Sequence, residues 1–440
     1  MRPTRWTARD LRGALGSGEV RPLMLAEKAL ARANGNAGHN TYLWQDREWT
    51  LAEAAKAEAI PRSEGGPFGD GRDALWGLPV SVKDCFDLAG APTSRGVRFY
   101  RDLHGAAARD SWLVERLRAM GAVITGKTHL HPLAYGITGE NPEFGDCVQP
   151  GEESALTGGS SSGAAASVLE GSAVAAIGTD TGGSIRAPAA LCGLAGYRAS
   201  LGRGDWRGGA HLAQSFDTIG WLFRDLEDAP LLGGLLGQEK SREQSSGFGQ
   251  FSRFAVVSES FLHDCEPEIL AAQQNTTAEL EALGVRGSVF DAGWWTDASS
   301  IYAPIQAREA ARIHEGHFDH FETTIRERLE LGARITVAEV IALRERHAEF
   351  RAQVDALLAE HELLLMPATP VAHLTAGADH SQTRKRLLRY MVPFSLAGVP
   401  VVTIPCAVGG MQMAAARGND EALLDFAARL GARRRDAQSA

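Results

Sequence analysis

Residues 172–193 read SAVAAIGTDTGGSIRAPAALCG, and this stretch predicts a strand, a glycine turn and a helix in succession. The part from Ser172 to Ile177 is small and apolar, as in a buried parallel strand, and Ile185 to Gly193 is typical of a short helix that ends at glycine. The glycines between them allow backbone conformations that side chains forbid and leave N–H groups facing outward. The turn therefore predicts a hole for a developing oxyanion, with Ser184 placed to attack a carbonyl carbon.

A serine hydroxyl becomes a good nucleophile only when a base takes its proton. Two upstream segments contain candidates for that task. Residues 158–163 read GGSSSG, with Ser160 24 residues before Ser184, and residues 77–84 read GLPVSVKD, with Lys83 77 residues before Ser160. We therefore expect the three segments to meet in the folded chain.

Together these segments resemble the amidase signature family in their order, spacing and flanking sequence. The resemblance implies that Ser184 is the nucleophile, Ser160 a bridging serine preceded by a cis peptide bond, and Lys83 the terminal base. It also implies a group of backbone N–H donors and a group of residues that support the triad. The implied oxyanion donors are Thr181, Gly182, Gly183 and Ser184, and the supporting residues are Gly159, Ser161, Asp180 and Arg186.

Lys83 must lose its proton to act as a base, and lysine at its ordinary pKa near 10.4 is protonated at neutral pH. Lys83 ends the apolar run from Leu78 to Val82, so we expect it at the tip of an interior strand, where burial lowers the pKa of the amine. Successive strand residues face opposite sides, and the Asp84 carboxylate should therefore point away from that amine.

Another serine hydrolase pattern, G-x-S-x-G, overlaps the middle segment at residues 159–163, with Ser161 as the alternative nucleophile. That pattern requires a strand directly before the serine and a histidine late in the chain. Residues 151–157 are polar and irregular, and the conceivable partners His361 and His373 are predicted at a helix end and in a loop. The context therefore favours Ser184.

Other polar clusters have simpler interpretations. His211, Ser215 and Asp217 have the composition of a triad, but the family resemblance makes this segment structural. His129 and His131 share one strand face without a third ligand nearby, so we expect no metal site. The chain has five cysteines, and their odd number without paired spacing favours reduced thiols over disulfides.

Composition limits the classes of partner. The net charge is −9, which is unsuited to nucleic acid, and no apolar run is long enough to cross a membrane. The N-terminal residues mix charges throughout instead of forming a signal peptide. We therefore expect a cytoplasmic monomer or homodimer that acts on a small-molecule amide without a cofactor.

The alternation of strand and helix patterns predicts the α/β class. Helical patterns run from about Thr7 to Ala59 and from Thr336 to Glu360, and Leu363 to Met366 is typical of a buried strand. By family resemblance, residues 1–440 form a single large domain in which a mixed, mostly parallel twisted sheet lies between helices. We divide it into an N-terminal helical segment (1–72), a catalytic core with the three motifs (73–225) and the remainder of the sheet and helices (226–440). Two polar connectors are predicted, from Pro61 to Gly71 and from Gln238 to Gly249.

The variable segments predict the substrate cleft. Its candidate lining residues are Tyr135, Gly136, Ile137, Thr138, Trp206 and Gln306. Trp294, Trp295 and Tyr302 lie in the same variable segments, so we expect an aromatic cleft that favours a hydrophobic amide, anilide or carbamate over a charged substrate. Esters should also react.

A second hypothesis is the amidase subunit of a tRNA-dependent amidotransferase, which releases ammonia from glutamine. The resemblance permits it. The tyrosine- and lysine-bearing helix typical of that subunit is absent around Ala307 to His317, so the sequence favours a free-standing hydrolase.

Overall fold

The computed structural model describes residues 6–59, 73–237 and 251–439. Both predicted polar connectors lie outside these ranges. The described strands are β1 (Tyr42–Trp44), β2 (Pro79–Lys83), β3 (Val123–Thr128), β4 (Val148–Gln149), β5 (Glu152–Leu156), β6 (Ala175–Asp180), β7 (Ala195–Arg198), β8 (Thr218–Phe223), β9 (Arg253–Val257), β10 (Arg286–Phe290), β11 (Leu363–Pro367), β12 (Val401–Pro405) and β13 (Gly410–Ala415).

Helices flank this sheet and follow its strands along the chain. The described α-helices are α1 (Ala8–Ser17), α2 (Pro22–Gly35), α3 (Arg47–Ala59), α4 (Arg98–His104), α5 (Trp112–Ala119), α6 (Ser162–Glu170), α7 (Arg186–Leu191), α8 (Ala229–Gly233), α9 (Pro267–Ala282), α10 (Ala298–Ile313), α11 (Thr323–Arg334), α12 (Val337–His361), α13 (Ser381–Ala397) and α14 (Asp420–Ser439).

Eleven of the described strands form one mixed sheet in the order β1-β3-β2-β6-β8-β7-β12-β13-β11-β9-β10. The predicted α/β class is confirmed. Parallel pairing joins β3, β2 and β6 on one flank and β11, β9 and β10 on the other. The mostly parallel pairing predicted from the sequence applies to these flanks, whereas the strands between them pair antiparallel.

Chain connectivity explains one antiparallel pair in the centre of the sheet. The short turn at residues 406–409 joins β12 to β13, and Cys406 donates its N–H to the Gly409 carbonyl at 3.3 Å. Only antiparallel neighbours are joined by so short a connection, because a parallel pair needs a crossover of a dozen or more residues.

Both faces of the sheet are covered by apolar side chains. In β11, Leu363 and Leu365 belong to one buried cluster and Leu364 and Met366 to another. Since successive strand residues face opposite sides, the sheet has a core on each face. This explains why so many strands lack polar alternation in the sequence.

Several strands differ from the sequence predictions. β5 occupies most of residues 151–157, which were expected to be irregular, and pairs with β4; it ends five residues before Ser161. β1 lies inside the stretch from Thr7 to Ala59 that was predicted to be helical, and it adds to the edge of the sheet by pairing with β3. β13 escaped prediction because the polar Gln412 interrupts its apolar run. Gln412 is nevertheless buried, and hydrogen bonds satisfy its amide group there. The amide oxygen accepts from Arg186 at 2.8 Å, and the amide nitrogen donates to the Tyr390 carbonyl at 2.8 Å.

Candidate active site

The site lies where parallel strands β2 and β6 end. Lys83 is the last residue of β2, and Thr179 and Asp180 end β6. The carboxyl ends of parallel neighbours meet at one edge of a sheet, which is the usual place for ligand sites in α/β proteins. Ser160 comes to this edge just before α6, and the peptide bond from Gly159 to Ser160 is cis, as the family resemblance implies.

The Lys83 amine is fully buried among hydroxyl groups. Its Nζ lies 2.8 Å from Ser160 Oγ, 3.0 Å from Ser161 Oγ and 2.8 Å from Thr179 Oγ1. No carboxylate of the described residues forms an ion pair with it. Burial lowers the pKa of Lys83 to about 8, against an opposing effect of the more distant Asp180 and Asp217. The contact with Thr179 was not predicted.

Asp84 is directed to a different partner, as the strand alternation predicts. Its Oδ1 lies 2.7 Å from the Nζ of Lys127 on β3, and its Oδ2 accepts the Ser94 N–H at 3.0 Å. The negative charge of Asp84, the residue after Lys83, is therefore compensated by Lys127 and not by the Lys83 amine.

The turn from Thr181 to Ser184 is organised by the buried carboxylate of Asp180. This carboxylate accepts the Gly183 N–H at 2.9 Å and the Ile185 N–H at 3.2 Å. Burial alone would raise the pKa of Asp180, but the guanidinium groups of Arg186 and Arg198 outweigh it and hold that pKa below its ordinary value. Arg186 lies 3.0 Å and Arg198 2.8 Å from Asp180 Oδ1.

This geometry changes the predicted set of oxyanion donors. The N–H of Gly183 is occupied by Asp180, so it serves to shape the turn. Within the described chain, the N–H groups of Thr181, Gly182 and Ser184 donate to no protein acceptor. Three of the four predicted donors therefore remain available for an oxyanion.

Glycine is required at two positions of this turn. Gly183 has a φ of +113°, and a Cβ there would lie 2.5 Å from Met391 Cγ. A Cβ on Gly182 would lie 2.3 Å from the hydroxyl oxygen of Tyr302. The backbone is thus closely covered by side chains from α10 and α13.

Ser184 lies next to the Lys83 cluster. Its carbonyl accepts the Ser161 N–H at 3.1 Å, and its side chain faces a cleft. No side-chain hydrogen bond joins Ser184 to Ser160 among the described residues. The structure therefore places the three predicted residues in one region and gives a direct contact between Lys83 and Ser160 only.

The segment with His211 and Asp217 supports the turn. Asp217 Oδ1 accepts the Thr181 hydroxyl at 2.6 Å, and its Oδ2 accepts the Leu212 N–H at 2.9 Å and lies 2.9 Å from His211 Nδ1. Ser215 is bound elsewhere, since its N–H donates to Glu309 at 3.0 Å. The structural interpretation of this segment agrees with these contacts.

The cleft at Ser184 contains four of the six predicted substrate residues, together with Tyr302 from the predicted aromatic set. The turn from Thr181 to Ser184, the predicted oxyanion turn, contributes part of its walls, and several residues that were not predicted complete them. Its lining residues are Ala134, Tyr135, Gly136, Ile137, Thr181, Gly182, Ser184, Tyr302, Gln306, Arg384 and Leu388.

Two predicted substrate residues lie away from this cleft. Thr138 is buried, and its hydroxyl donates to Glu140 at 2.6 Å. Trp206 stacks on His211 with ring centres 4.2 Å apart and contacts Phe86. Neither residue lines the cleft at Ser184, because sequence proximity to variable segments does not determine the direction of a side chain. Their role in substrate binding stays a prediction.

The tryptophans of the predicted aromatic lining are also absent from the cleft. Trp295 is buried in the core between Phe261 and Phe394, and Trp294 packs on Phe350. Arg384 occupies the cleft instead. The helical spacing of Arg384, Leu388 and Met391, at i, i+4 and i+7, is the signal by which sequence analysis would have found it.

The alternative nucleophile Ser161 is fully buried, with its hydroxyl bonded to Lys83 and to the Thr179 carbonyl at 3.2 Å. Its conceivable histidine partners are engaged elsewhere. His361 Nδ1 lies 3.2 Å from Ser288 Oγ, and His373 lies near Glu152. This environment does not favour the overlapping G-x-S-x-G pattern.

No group of His, Cys, Asp and Glu in the described ranges is arranged to hold a metal ion. His129 uses both ring nitrogens, 2.7 Å from Ser162 Oγ and 2.9 Å from the Gly145 carbonyl. All five cysteines are free thiols. Among the helices described, none is long and apolar enough to span a bilayer.

Known proteins resemble this chain over nearly its whole length. A model of the amidase family matches residues 25–424. Indoleacetamide hydrolase of Pseudomonas savastanoi is 30% identical over 455 residues, which cover 95% of this chain and 94% of that protein. A crystal structure of an amidase, with 30% sequence identity and a TM-score of 0.86, covers 97% of this chain and 100% of its own. A glutamyl-tRNA(Gln) amidotransferase subunit from Nitratidesulfovibrio vulgaris (strain DP4) is 39% identical over 206 residues, 47% of this chain and 41% of that protein.

These similarities, with the sheet and the serine-lined lysine site, define a hydrolase that acts on C–N bonds. The chain belongs to the amidase family, and the resemblance predicted from its three sequence segments is confirmed.

We expect Asp180→Asn to destabilise the fold by about 3–5 kcal/mol, because it leaves two buried guanidinium groups without a counter-charge. Urea unfolding measures the loss. The matched control is Asp102→Asn, whose carboxylate is 67% exposed and pairs with Arg101 at the surface. That change should cost less than about 1 kcal/mol, and equal losses in the two variants would contradict the role given to Asp180.

Proposed function

We propose that the protein hydrolyses amides through an acyl-enzyme intermediate, with Ser184 as nucleophile, Ser160 as proton relay and Lys83 as base. The observation that carries this proposal is the 2.8 Å contact between the buried Lys83 amine and Ser160 Oγ, beside the turn that presents Ser184. A base is useful at neutral pH when its pKa lies near the working pH, and burial brings the pKa of Lys83 to about 8.

The three hydroxyl partners can satisfy the amine in both protonation states, because a hydroxyl group can accept from an ammonium group or donate to a neutral amine. A neutral –NH₂ group donates two hydrogen bonds and accepts one through its lone pair, whereas an ammonium group only donates. In the proposed ground state, Ser160 donates its O–H to the Lys83 lone pair, and the amine donates to Ser161 and Thr179. Ser161 and Thr179 then orient the base without taking part in proton transfer.

In the first half-reaction, Ser184 Oγ attacks the amide carbon and passes its proton to Ser160, which passes its own proton to Lys83. The N–H groups of Thr181, Gly182 and Ser184 stabilise the oxyanion, each contributing about 3–4 kcal/mol by analogy with single donors in other sites. The proton then returns through Ser160 to the leaving nitrogen as the C–N bond breaks.

In the second half-reaction, water attacks the acyl carbon and gives its proton to the same relay. The Ser184–acyl bond breaks, the proton returns to Ser184 Oγ, and the carboxylic acid leaves. No cofactor enters either step, and an ester would follow the same route with an alcohol as leaving group.

A second candidate function is glutamine hydrolysis in an amidotransferase. The similarity to the amidotransferase protein of Nitratidesulfovibrio vulgaris supports it, although that match covers less than half of either chain. Glutamine hydrolysis that appears only after partner proteins and tRNA are added would favour this candidate over the free-standing amidase.

We expect purified protein to hydrolyse simple amides, with kcat/KM rising with pH and levelling above about 8, where Lys83 is uncharged. Below that pH the slope should approach tenfold per pH unit, since only the deprotonated amine acts as base. Initial rates on primary amides, anilides, carbamates, esters and glutamine at several pH values test this expectation. Absence of hydrolysis across the panel would refute the proposed function, and a flat profile from pH 6 to 9 would remove Lys83 as the base.

A further inference from the structure

Arg384 belongs to the helix face that covers the oxyanion turn. On α13, Leu388 lines the cleft with Ser184, and Met391 lies against Gly183. Arg384 is one turn before Leu388 on the same face and also lines the cleft. At 1.5 Å per residue, its Cα lies about 10 Å along the helix from that of Met391. The Arg384 backbone is therefore about two helical turns from Met391, and its side chain reaches the cleft that Ser184 also lines.

A second guanidinium group lies beside it. Arg328 on α11 donates to the Tyr135 carbonyl at 2.7 Å and stands over the Tyr135 ring at 5.5 Å. Burial, together with the charge of Arg384, lowers the pKa of Arg328 to about 10. Guanidinium groups stay charged at neutral pH, so Arg384 in the cleft wall and Arg328 behind Tyr135 concentrate positive charge here.

Neither guanidinium has a carboxylate partner in the part of the chain that the structure describes. The carboxylates whose charge acts on Arg384 are Glu140 and Glu322, and both are engaged by other donors. Glu140 accepts the Thr138 hydroxyl at 2.6 Å, and Glu322 caps α11 by accepting the N–H groups of residues 324 and 325 at 2.8 and 3.0 Å. Arg384 Nε is buried without a hydrogen-bond partner.

Arg384 is half-buried and its Nε is enclosed. A cation in such a position is costly without a counter-charge and is normally paired. Surface arginines of this chain show the usual solution, as in the pairing of Arg386 with Asp264 at 3.2 Å on the same helix. Arg384 departs from that pattern at the wall of the cleft that contains Ser184. An anionic group on the ligand would compensate the charge and form the fork-shaped hydrogen bonds that guanidinium groups make with carboxylates.

We propose that the substrate carries a carboxylate, which Arg384 binds and Arg328 helps to attract, a few bonds away from the C–N bond that is cleaved. This inference rests on the proposed amidase function for the reaction, but the binding it describes can be measured without turnover. It replaces the hydrophobic substrate class that the aromatic residues of the sequence suggested.

The test uses Ser184→Ala protein, so that amides bind without being hydrolysed. The probes are glutaramate and N-acetyl-β-alanine, which carry the carboxylate on the acyl and amine sides, and their neutral counterparts valeramide and N-propylacetamide. Calorimetry should show that at least one charged probe binds more tightly than its neutral counterpart. Adding Arg384→Gln should weaken the binding of that charged probe by about 10- to 100-fold. The binding of its neutral counterpart should change little.

Lys385→Gln in the same Ser184→Ala background is the matched control. Lys385 is the next residue on the helix and is exposed, so its substitution removes one positive charge without altering the cleft. Equal losses in the Lys385 and Arg384 variants, or equal binding of charged and neutral probes, would overturn the carboxylate assignment. Turnover is a separate readout: hydrolysis by wild-type protein decides the proposed function, whereas the Arg384-dependent difference in binding decides the substrate class.

Discussion

Replacing Ser184 with alanine should lower kcat for amide hydrolysis by about 10⁴-fold or more, since loss of the nucleophile in other serine hydrolases has effects of this size or larger. The fold should survive, because the Ser184 side chain faces the cleft and makes no hydrogen bond within the described part of the chain. Initial rates and thermal unfolding of the variant measure the two effects. Mass spectrometry of wild-type protein treated with a sulfonyl fluoride should locate a covalent adduct on Ser184, and the variant should form none.

Ser161→Ala is the control that separates the two serine patterns. Its hydroxyl is bonded to Lys83 and Thr179, so its loss should reduce the rate while leaving the adduct on Ser184 intact. An adduct on Ser161, with activity retained in Ser184→Ala, would establish the overlapping G-x-S-x-G pattern instead.

Lys83→Ala should lower kcat by about 10²- to 10⁴-fold, the range expected for loss of a general base. The variant should also lose the rise of activity toward pH 8, because the amine responsible for it is gone. Since the substitution leaves room beside Ser160, added methylamine should restore part of the rate. Rates measured against pH and amine concentration test all three expectations.

Lys127→Ala provides a buried lysine for comparison. Lys127 is as fully buried as Lys83 and lies on the neighbouring strand, but it pairs with Asp84. Its removal should lower the free energy of unfolding, because the Asp84 carboxylate loses its counter-charge. The folded variant should keep the wild-type pH profile and gain nothing from methylamine. Full activity of Lys83→Ala at neutral pH would show that another group removes the proton.

Many helices, strands and turns were predictable because they depend on local sequence patterns. The helix from Thr336 and the strand at Leu363 to Met366 were placed within a residue or two of α12 and β11. The glycine turn before Ser184 was predicted from residues adjacent in the chain. The catalytic roles of Ser184, Ser160 and Lys83 stay predictions, although the structure brings Lys83 into contact with Ser160.

The differences between the predicted and the observed lining of the cleft share one origin. Trp206 and Thr138 were placed in the cleft, and Arg384 was left out of it, because the direction of a side chain depends on how distant elements pack. The same holds for the Gly183 N–H, which is adjacent in the chain to the other predicted donors but is taken by the Asp180 carboxylate. The sequence alone does not show which acceptor a given backbone N–H group binds.

By itself, the sequence determined the family, the α/β class and the three segments that are predicted to carry the chemistry, because glycine turns, apolar strands and helix ends depend on neighbours in the chain. Only the tertiary structure decided which groups surround the Lys83 amine, which N–H groups stay free at the turn and which charge lines the cleft. These properties arise where distant elements pack together. Burial there lowers the pKa of Lys83, and Arg384 lines the cleft without a carboxylate partner in the described chain because Glu140 and Glu322 are bound by other donors.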